Sequence, residues 1–489
     1  MPPSSSTSEG EGERQRAGGR GPDGEGERQR AGGRGPDGEG EQGLFDAVLS
    51  RGGVHDATTD RAWLQAMLDV EAALAQATAA VGLISTEDAA AIAAACRAER
   101  FDVGAIGADA VASGNPVVPL VRALTDAVDG PAAAHVHRGA TSQDILDTAS
   151  MLIATRALVP LIDDLCGAAE ATADLARRYR DTPAAGRTLL QHAVPVTFGL
   201  KAAGWLVGLD DVIARLDQVR TRRLAVQLGG AVGTLASLGP AGVEVAGHLA
   251  RTLGLAEPVV AWHTIRTRPA ELASALGEAA GVCAKIARDI ILLAQTEVGE
   301  VSEHADGRGG SSTMPHKHNP VAAISSAAAA ARAPGLVSTL LSAMPHEHER
   351  AAGAWHTEWR PLNDLLRTTG SAAAWLRDSL RHLRVDTNRV RANLALTRGL
   401  TQAERVVTAL TGAVGRLTAH DLVSSASRRA LDEDRALADV LAEMPDVTTH
   451  LDREELRQLL DPATATGSAA LLVDRALDHH AAARRQDTA

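Results

Sequence analysis

The apolar residues of this chain recur at helical spacing over long alanine-rich stretches. From residue 61 to 80, Leu64, Met67, Leu68, Leu74 and Ala75 fall on one helical face. Residues 158–179 repeat the pattern with Leu161, Ile162, Leu165, Ala168, Ala169 and Leu175. Residues 281–301 are a third such run, with Ala270 as a candidate start. Alanine faces let helix axes approach closely, so these stretches predict long helices packed as a bundle. Only 2% of residues are aromatic. That excludes the usual stock of a β-sandwich, because strands draw on aromatic and β-branched side chains. The expected fold is all-α. Residues 235–238 and 258–260 are the only candidate extended pieces.

The first 42 residues differ in kind. The fourteen-residue string Glu11-Gly-Glu-Arg-Gln-Arg-Ala-Gly-Gly-Arg-Gly-Pro-Asp-Gly24 recurs unchanged from Glu25 to Gly38. It has almost nothing to bury and reads as a disordered tail over residues 1–42. Three mostly helical domains are expected after it: residues 43–133, a central long-helix domain over 134–385, and a third over 386–489. Residues 419–430 and 453–460 are expected helices of the third. Pro183, Pro195, Gly229-Gly230, Gly239-Pro240 and Pro269 mark turns.

The net charge of −12 argues against nucleic acid as a partner, although local cations can still hold a small anion. Cys96, Cys166 and Cys283 lie far apart and read as core residues of a reduced, cytoplasmic protein. No apolar run is expected to reach the roughly 18 residues of a membrane span, and the N-terminus has no hydrophobic signal segment.

The densest chemistry lies in Gly309-Gly310-Ser311-Ser312-Thr313-Met314-Pro315-His316-Lys317-His318-Asn319-Pro320. The glycines give backbone freedom suited to a closing lid. Ser311 offers a hydroxyl that can exchange a proton with carbon, provided its surroundings activate it. Lys317 is a compact cation for a carboxylate, and Asn319 can hydrogen-bond an oxygen that gains charge.

Other strings add candidates. In His137-Arg-Gly-Ala-Thr-Ser-Gln-Asp144, Thr141 and Ser142 read as a helix cap or as a carboxylate site at the helix N-terminus. His137, at the head of that string, is a substrate-binding candidate. Gln191, in Gly186-Arg-Thr-Leu-Leu-Gln-His-Ala193, is a second carboxylate ligand candidate, and His192 is either an acid or structural. Asn115, in Gly114-Asn-Pro-Val-Val-Pro-Leu120, either touches substrate or forms the turn. Arg266 or Arg268 either reaches a carboxylate or makes a salt bridge. The His-x-His pairs at 316/318 and 346/348 lack partners that would complete a metal set, and no glycine-rich nucleotide motif follows a strand. Neither a metal nor a cofactor is expected.

Together these strings resemble the fumarase/aspartase superfamily, whose loop reads Gly-Ser-Ser-x-Met-Pro-x-Lys-x-Asn. The strings at 114–120, 141–144, 262–264, 295–300, 346–350 and 355–359 are similar to its carboxymuconate cycloisomerase branch. The likeness runs from Leu44 to the C-terminal region. It implies a homotetramer with a shared bundle of long helices and active sites built from three subunits. It implies that Ser311 transfers the proton, that Lys317 and Asn319 hold the substrate anion, and that Thr141, Ser142 and Gln191 bind carboxylate. The implied reaction is lactonisation of 3-carboxy-cis,cis-muconate, a step of protocatechuate degradation. The alternative is β-elimination of fumarate from a nitrosuccinate- or adenylosuccinate-type substrate. Two positions depart from pattern. Leu189 stands where adenylosuccinate lyases and fumarases carry an acid histidine, which suits a reaction with no leaving group to protonate. Arg138 stands where the cycloisomerases carry an apolar residue.

Overall fold

The computed structural model describes residues 44–305, 308–310, 313–314 and 317–487. The tail expected over residues 1–42 lies outside them.

Helix α1 (Asp60–Ala80) is capped by Thr59, whose hydroxyl accepts the Ala62 N–H at 3.2 Å. Its predicted apolar face is the buried one. Helix α2 (Val117–Ala127) follows a proline turn. Helix α3 (Ser142–Arg178) is the longest element, about 55 Å at 1.5 Å per residue. It includes the run predicted over residues 158–179 up to Arg178, with Tyr179 as the C-cap.

Strands β1 (Pro183–Thr188) and β2 (Gln191–Thr197) form an antiparallel hairpin. Helices α4 (Phe198–Arg222) and α5 (Thr267–Leu293) come next. The apolar spacing continues past Leu293 to Val301, but the chain turns at residues 295–299, where Gly299 has φ +60°. Strand β3 (Val301–Glu303) pairs with β4 (Leu383–Val385). Between them lie α6 (Val321–Ala330), α7 (Ala333–Ser342) and α8 (Ala354–Arg381). The all-α expectation holds for the body. The strands, however, are not at the expected places. Residues 236–241 form a 3₁₀ turn after Leu235 at φ +57°, and residues 258–260 stay outside strands.

Helices α3, α4, α5 and α8 form the bundle. Alanines meet at its axis: Ala168, Ala169, Ala279, Ala280, Ala372 and Ala373 are all buried. Gly370 is required there, because a Cβ would sit 2.5 Å from Val54. Polar pairs fix the directions. Trp355 and Arg266 reach Asp147, while Arg377 reaches Asp163 and Asp164 farther along α3. So α3 and α8 run parallel, and α5 runs with them, since Arg266 reaches Glu358 and the Thr369 hydroxyl donates to Leu276 O farther along both helices. Trp205 bonds Asp289 and Arg215 bonds Glu271, so α4 runs antiparallel to α5.

The C-terminal segment is shared between two cores. Helices α9 (Ala403–Val414), α10 (Arg416–Asp432) and α11 (Arg453–Leu460) bury Val406, Leu410, Val423 and Leu456 in a cluster of their own. Helix α12 (Ala469–Asp487) returns to the bundle, placing Val473 in the main core and His480 against Asp210 at 2.9 Å. Among the described residues, two stretches, Ser142–Arg178 and Val321–Ser342, are long and apolar enough to cross a membrane by length and composition, which corrects the expectation that no apolar run has that length. The first is the central core helix. Cys96 and Cys283 are buried, and burial pushes both thiols up to about 12. Cys166 is half-buried beside Arg484, with 2.8 Å from Sγ to Nη1.

Candidate active site

Helix α3 begins where the cap reading placed it. Thr141 is extended (φ −130°, ψ 164°), and its N–H donates to Asp144 at 3.1 Å. Thr141 and Ser142 are half-buried. Asp144 is fully buried and also accepts the Gly230 N–H at 2.8 Å and Gln227 Nε2 at 3.1 Å. Burial pushes its carboxyl up despite those bonds. Gly229-Gly230, read as turn punctuation, is where a second backbone presses on the helix start. Gly230 has φ +66°, and a Cβ there would lie 3.2 Å from Gly139 O.

One turn on, Asp147 accepts Gln143 Nε2 at 3.0 Å, Trp355 Nε1 at 3.0 Å, and two nitrogens of Arg266 at 2.6 and 3.0 Å. Arg266 also donates Nε and Nη2 to Glu358 at 2.9 and 2.5 Å. It is 3% exposed. Against its burial, Asp147 and Glu358 push its pKa up. Of the two readings open for Arg266, the structure shows the salt bridge, buried rather than at the surface: two protein carboxylates take its donors. Arg268 is committed as well, donating to the Arg223 carbonyl.

Arg350 completes the network. It donates to Gln143 Oε1 at 2.7 Å, to Ala231 O at 3.1 Å and to Gly230 O, and it lies 3.7 Å from Asp144. His346 Nε2 is 3.3 Å from Glu358. Strings separated by up to two hundred residues thus meet at one helix start. The sequence reading named the strings and missed Gln143, Asp144, Asp147, Gln227, Arg350 and Glu358 as a unit. One signal was available: Asp144 and Asp147 stand three residues apart on a helix whose inward positions are otherwise mostly apolar.

Asn115 serves its turn. Its Oδ1 accepts the Val117 N–H at 3.1 Å, and its Nδ2 donates to Ser113 O at 3.2 Å. His356 Nε2, 3.1 Å from Gly114 O, sets that turn beside the start of α8. His137 (φ +59°) places Nδ1 2.6 Å from the buried Glu71. Burial opposes its charge, but Glu71 and Asp144 outweigh this and raise its pKa. Arg138 Nη1 lies 3.1 Å from His135 Nδ1.

The remaining candidates that are described, Gln191, Lys317 and Asn319, sit on the hairpin and at the neck of the glycine-rich loop. Gln191 is exposed at the hairpin tip, opposite Thr188. Leu189 and Leu190 form the tip at φ +50° and +64°, with 96% and 72% of their surface exposed. His192 has its pKa lowered by burial and by Arg187. Ser311 lies outside the described residues. The neck of its loop is described: Gly309 O accepts the Asn319 N–H at 2.8 Å and Asn319 Nδ2 at 3.2 Å. Gly309 needs to be glycine, since it has φ +79° and a Cβ would meet Asn319 O at 2.6 Å. Lys317 is exposed. Arg308 ties the neck to Asp378, with Nη2–Oδ1 at 2.9 Å. Asp378 stands twenty residues beyond Glu358 on α8, about 30 Å at 1.5 Å per residue. Within one chain, the described neck of the loop and the Thr141 helix start therefore lie toward opposite ends of α8. Among the described residues, no group of three or more His, Cys, Asp or Glu is placed to hold a metal.

A family described as Lyase matches residues 52–335, and one described as Adenylosuccinate lyase C-terminus matches residues 399–476. The chain is 50% identical to a 3-carboxy-cis,cis-muconate cycloisomerase of Pseudomonas aeruginosa over 90% of its own length and 96% of that protein's. It is 46% identical to a nitrosuccinate lyase of Streptomyces davaonensis, covering 89% and 94%. The crystal structure of the 3-carboxy-cis,cis-muconate lactonizing enzyme from Pseudomonas putida superposes with a TM-score of 0.86 at 44% identity, covering 91% of this chain and all of that one.

Proposed function

The chain belongs to the lyase family of the fumarase/aspartase superfamily, and from that premise we propose that it is a cytoplasmic enzyme that closes 3-carboxy-cis,cis-muconate to 4-carboxymuconolactone. The observation that carries this reading is the near end-to-end likeness to cycloisomerases at 50% identity. Leu189 agrees with it. A leucine at the hairpin tip has no proton to give a leaving group, and lactonisation expels none.

One substrate carboxylate adds to the ring-closing carbon and forms the C–O bond. The π electrons move toward the carbon beside another carboxylate, which becomes enediolate-like. Lys317, Asn319 and the start of α3 at Ser142 hold that charge. Gln191 orients a further carboxylate. Ser311 then donates a proton to carbon and regains one from solvent, which completes the isomerisation and restores the hydroxyl.

The site is completed by more than one copy of the chain. The rise of about 30 Å along α8 between Glu358, beside the Thr141 helix start, and Asp378, beside the loop neck, supports this. The homotetramer implied by the family accommodates it.

Loss of the muconate absorbance on mixing with micromolar enzyme is the expected result. Ser311→Ala should lower turnover by at least about a hundredfold, with the circular dichroism unchanged. The nitrosuccinate lyase relative motivates a second reading, β-elimination to fumarate. An inert muconate together with fumarate released from nitrosuccinate would replace the first reading by the second.

A further inference from the structure

Between the hairpin and the first turn of α4 lies a cavity of about 290 Å³. Val194, Val196 and Leu200 supply apolar wall, and Arg187, Thr188 and Lys201 supply polar groups. This combination, mostly aliphatic with a few convergent polar groups, is that of a small-molecule site, and the volume suits a small ligand.

The two cations differ in what they hold. Arg187 is committed: it forks onto the buried Glu300 at 2.5 and 3.1 Å. Lys201 is partly buried and makes no hydrogen bond or ion pair among the described residues. The acids nearest in its field are already engaged. Asp289, on α5, accepts Trp205 Nε1 at 2.8 Å and pairs with Lys285. Glu300 holds Arg187 and accepts Asn393 Nδ2 at 2.9 Å. Burial lowers the Lys201 pKa, Asp289 opposes the shift, and Arg187 and Lys285 add to it. An ammonium drawn out of water without a counter-charge is costly, and an incoming anion offsets that cost.

We propose that this cavity binds a carboxylate carried on a short aliphatic stem, with Lys201 as its counter-ion and the Thr188 hydroxyl as a hydrogen-bond donor. The carboxylate has two sources. Thr188 is the strand partner of Gln191, so the anion is either one arm of the enzyme's own substrate or a separate small acid. Only the first source rests on the function proposed above.

Calorimetric titration of the full chain with sodium butyrate tests the site. Saturable binding that weakens about tenfold or more in Lys201→Met, and stays within a few-fold in Lys201→Arg, is the expected result. Absence of wild-type binding, or equal binding in Lys201→Met, overturns the proposal. Lys201→Met should melt no lower than wild type, since it removes an unpaired ammonium. If it does not fold, Lys201→Gln takes its place with the same expected loss. Steady-state kinetics on carboxymuconate separates the sources. Competition by butyrate, with a raised KM and a retained kcat in Lys201→Met, assigns the cavity to substrate. Kinetics indifferent to butyrate while binding persists assigns it to a separate acid. Should the chain not turn over carboxymuconate, the calorimetry still decides the site.

Discussion

At Arg266 three nitrogens face four carboxylate oxygens, two from Asp147 on α3 and two from Glu358 on α8. Removing the cation leaves two buried acids uncompensated. Arg266→Met should therefore cost about 3–5 kcal/mol in urea unfolding. Arg266→Lys should recover only part, because an ammonium cannot fork onto two planes. A raised KM with stability intact would return Arg266 to the substrate. Nothing in the sequence distinguished these outcomes, since an arginine near a helix start serves either purpose. His137 carries a pH signature. Its folded pKa is raised from 6.5 by Glu71 and Asp144 against burial. The stability it contributes is fully present below the unfolded pKa and is lost as pH rises through the folded one. The melting deficit of His137→Gln should be larger near about pH 6 than near about pH 9. An equal deficit at both would remove the charge from the contact.

The hairpin joins a strained turn to an exposed tip. Leu189 and Leu190 both adopt left-handed backbone, which costs an L-residue about 1–2 kcal/mol. Their side chains gain nothing in return from their own chain, being mostly exposed. Leu190→Gly should raise the stability of an isolated chain by about 1 kcal/mol in thermal melting. A fall instead would mean that the tip is buried against a neighbouring copy. The helices read more easily than this hairpin. The burial of Leu64, Met67, Leu68, Leu74 and Ala75 follows from their spacing, because one face of a helix is set by residues three and four apart. The hairpin has no such internal period. Its partner strands carry Gly186, Pro195 and polar residues, and their pairing is fixed by the turn and by the bulge at residues 185–186.

Across the whole molecule, the candidate residues divide into two groups along α8. The Asn115 turn and the Thr141–Asp144 helix start lie with Trp355 and Glu358, while the Gly309–Asn319 neck lies with Asp378. If sites are completed between copies, two variants dead for different reasons can restore each other. Ser311→Ala and Thr141→Val chains, each inactive alone, should regain a measurable fraction of wild-type turnover when denatured together and refolded. No recovery, with four-chain particles present by light scattering, would place the whole site within one chain.

The helices and the capped start of α3 were legible in the amino-acid order, because spacing and residue type act within a few positions. That order also carried the family, in strings whose residue types are specific together. Tertiary structure alone decided which charges are spent and which remain. Arg266, Asp147 and Glu358 neutralise one another across gaps of about a hundred residues in the chain, and Lys201 is left without a counter-charge. Such pairings depend on where helices cross, and no local pattern encodes a crossing point.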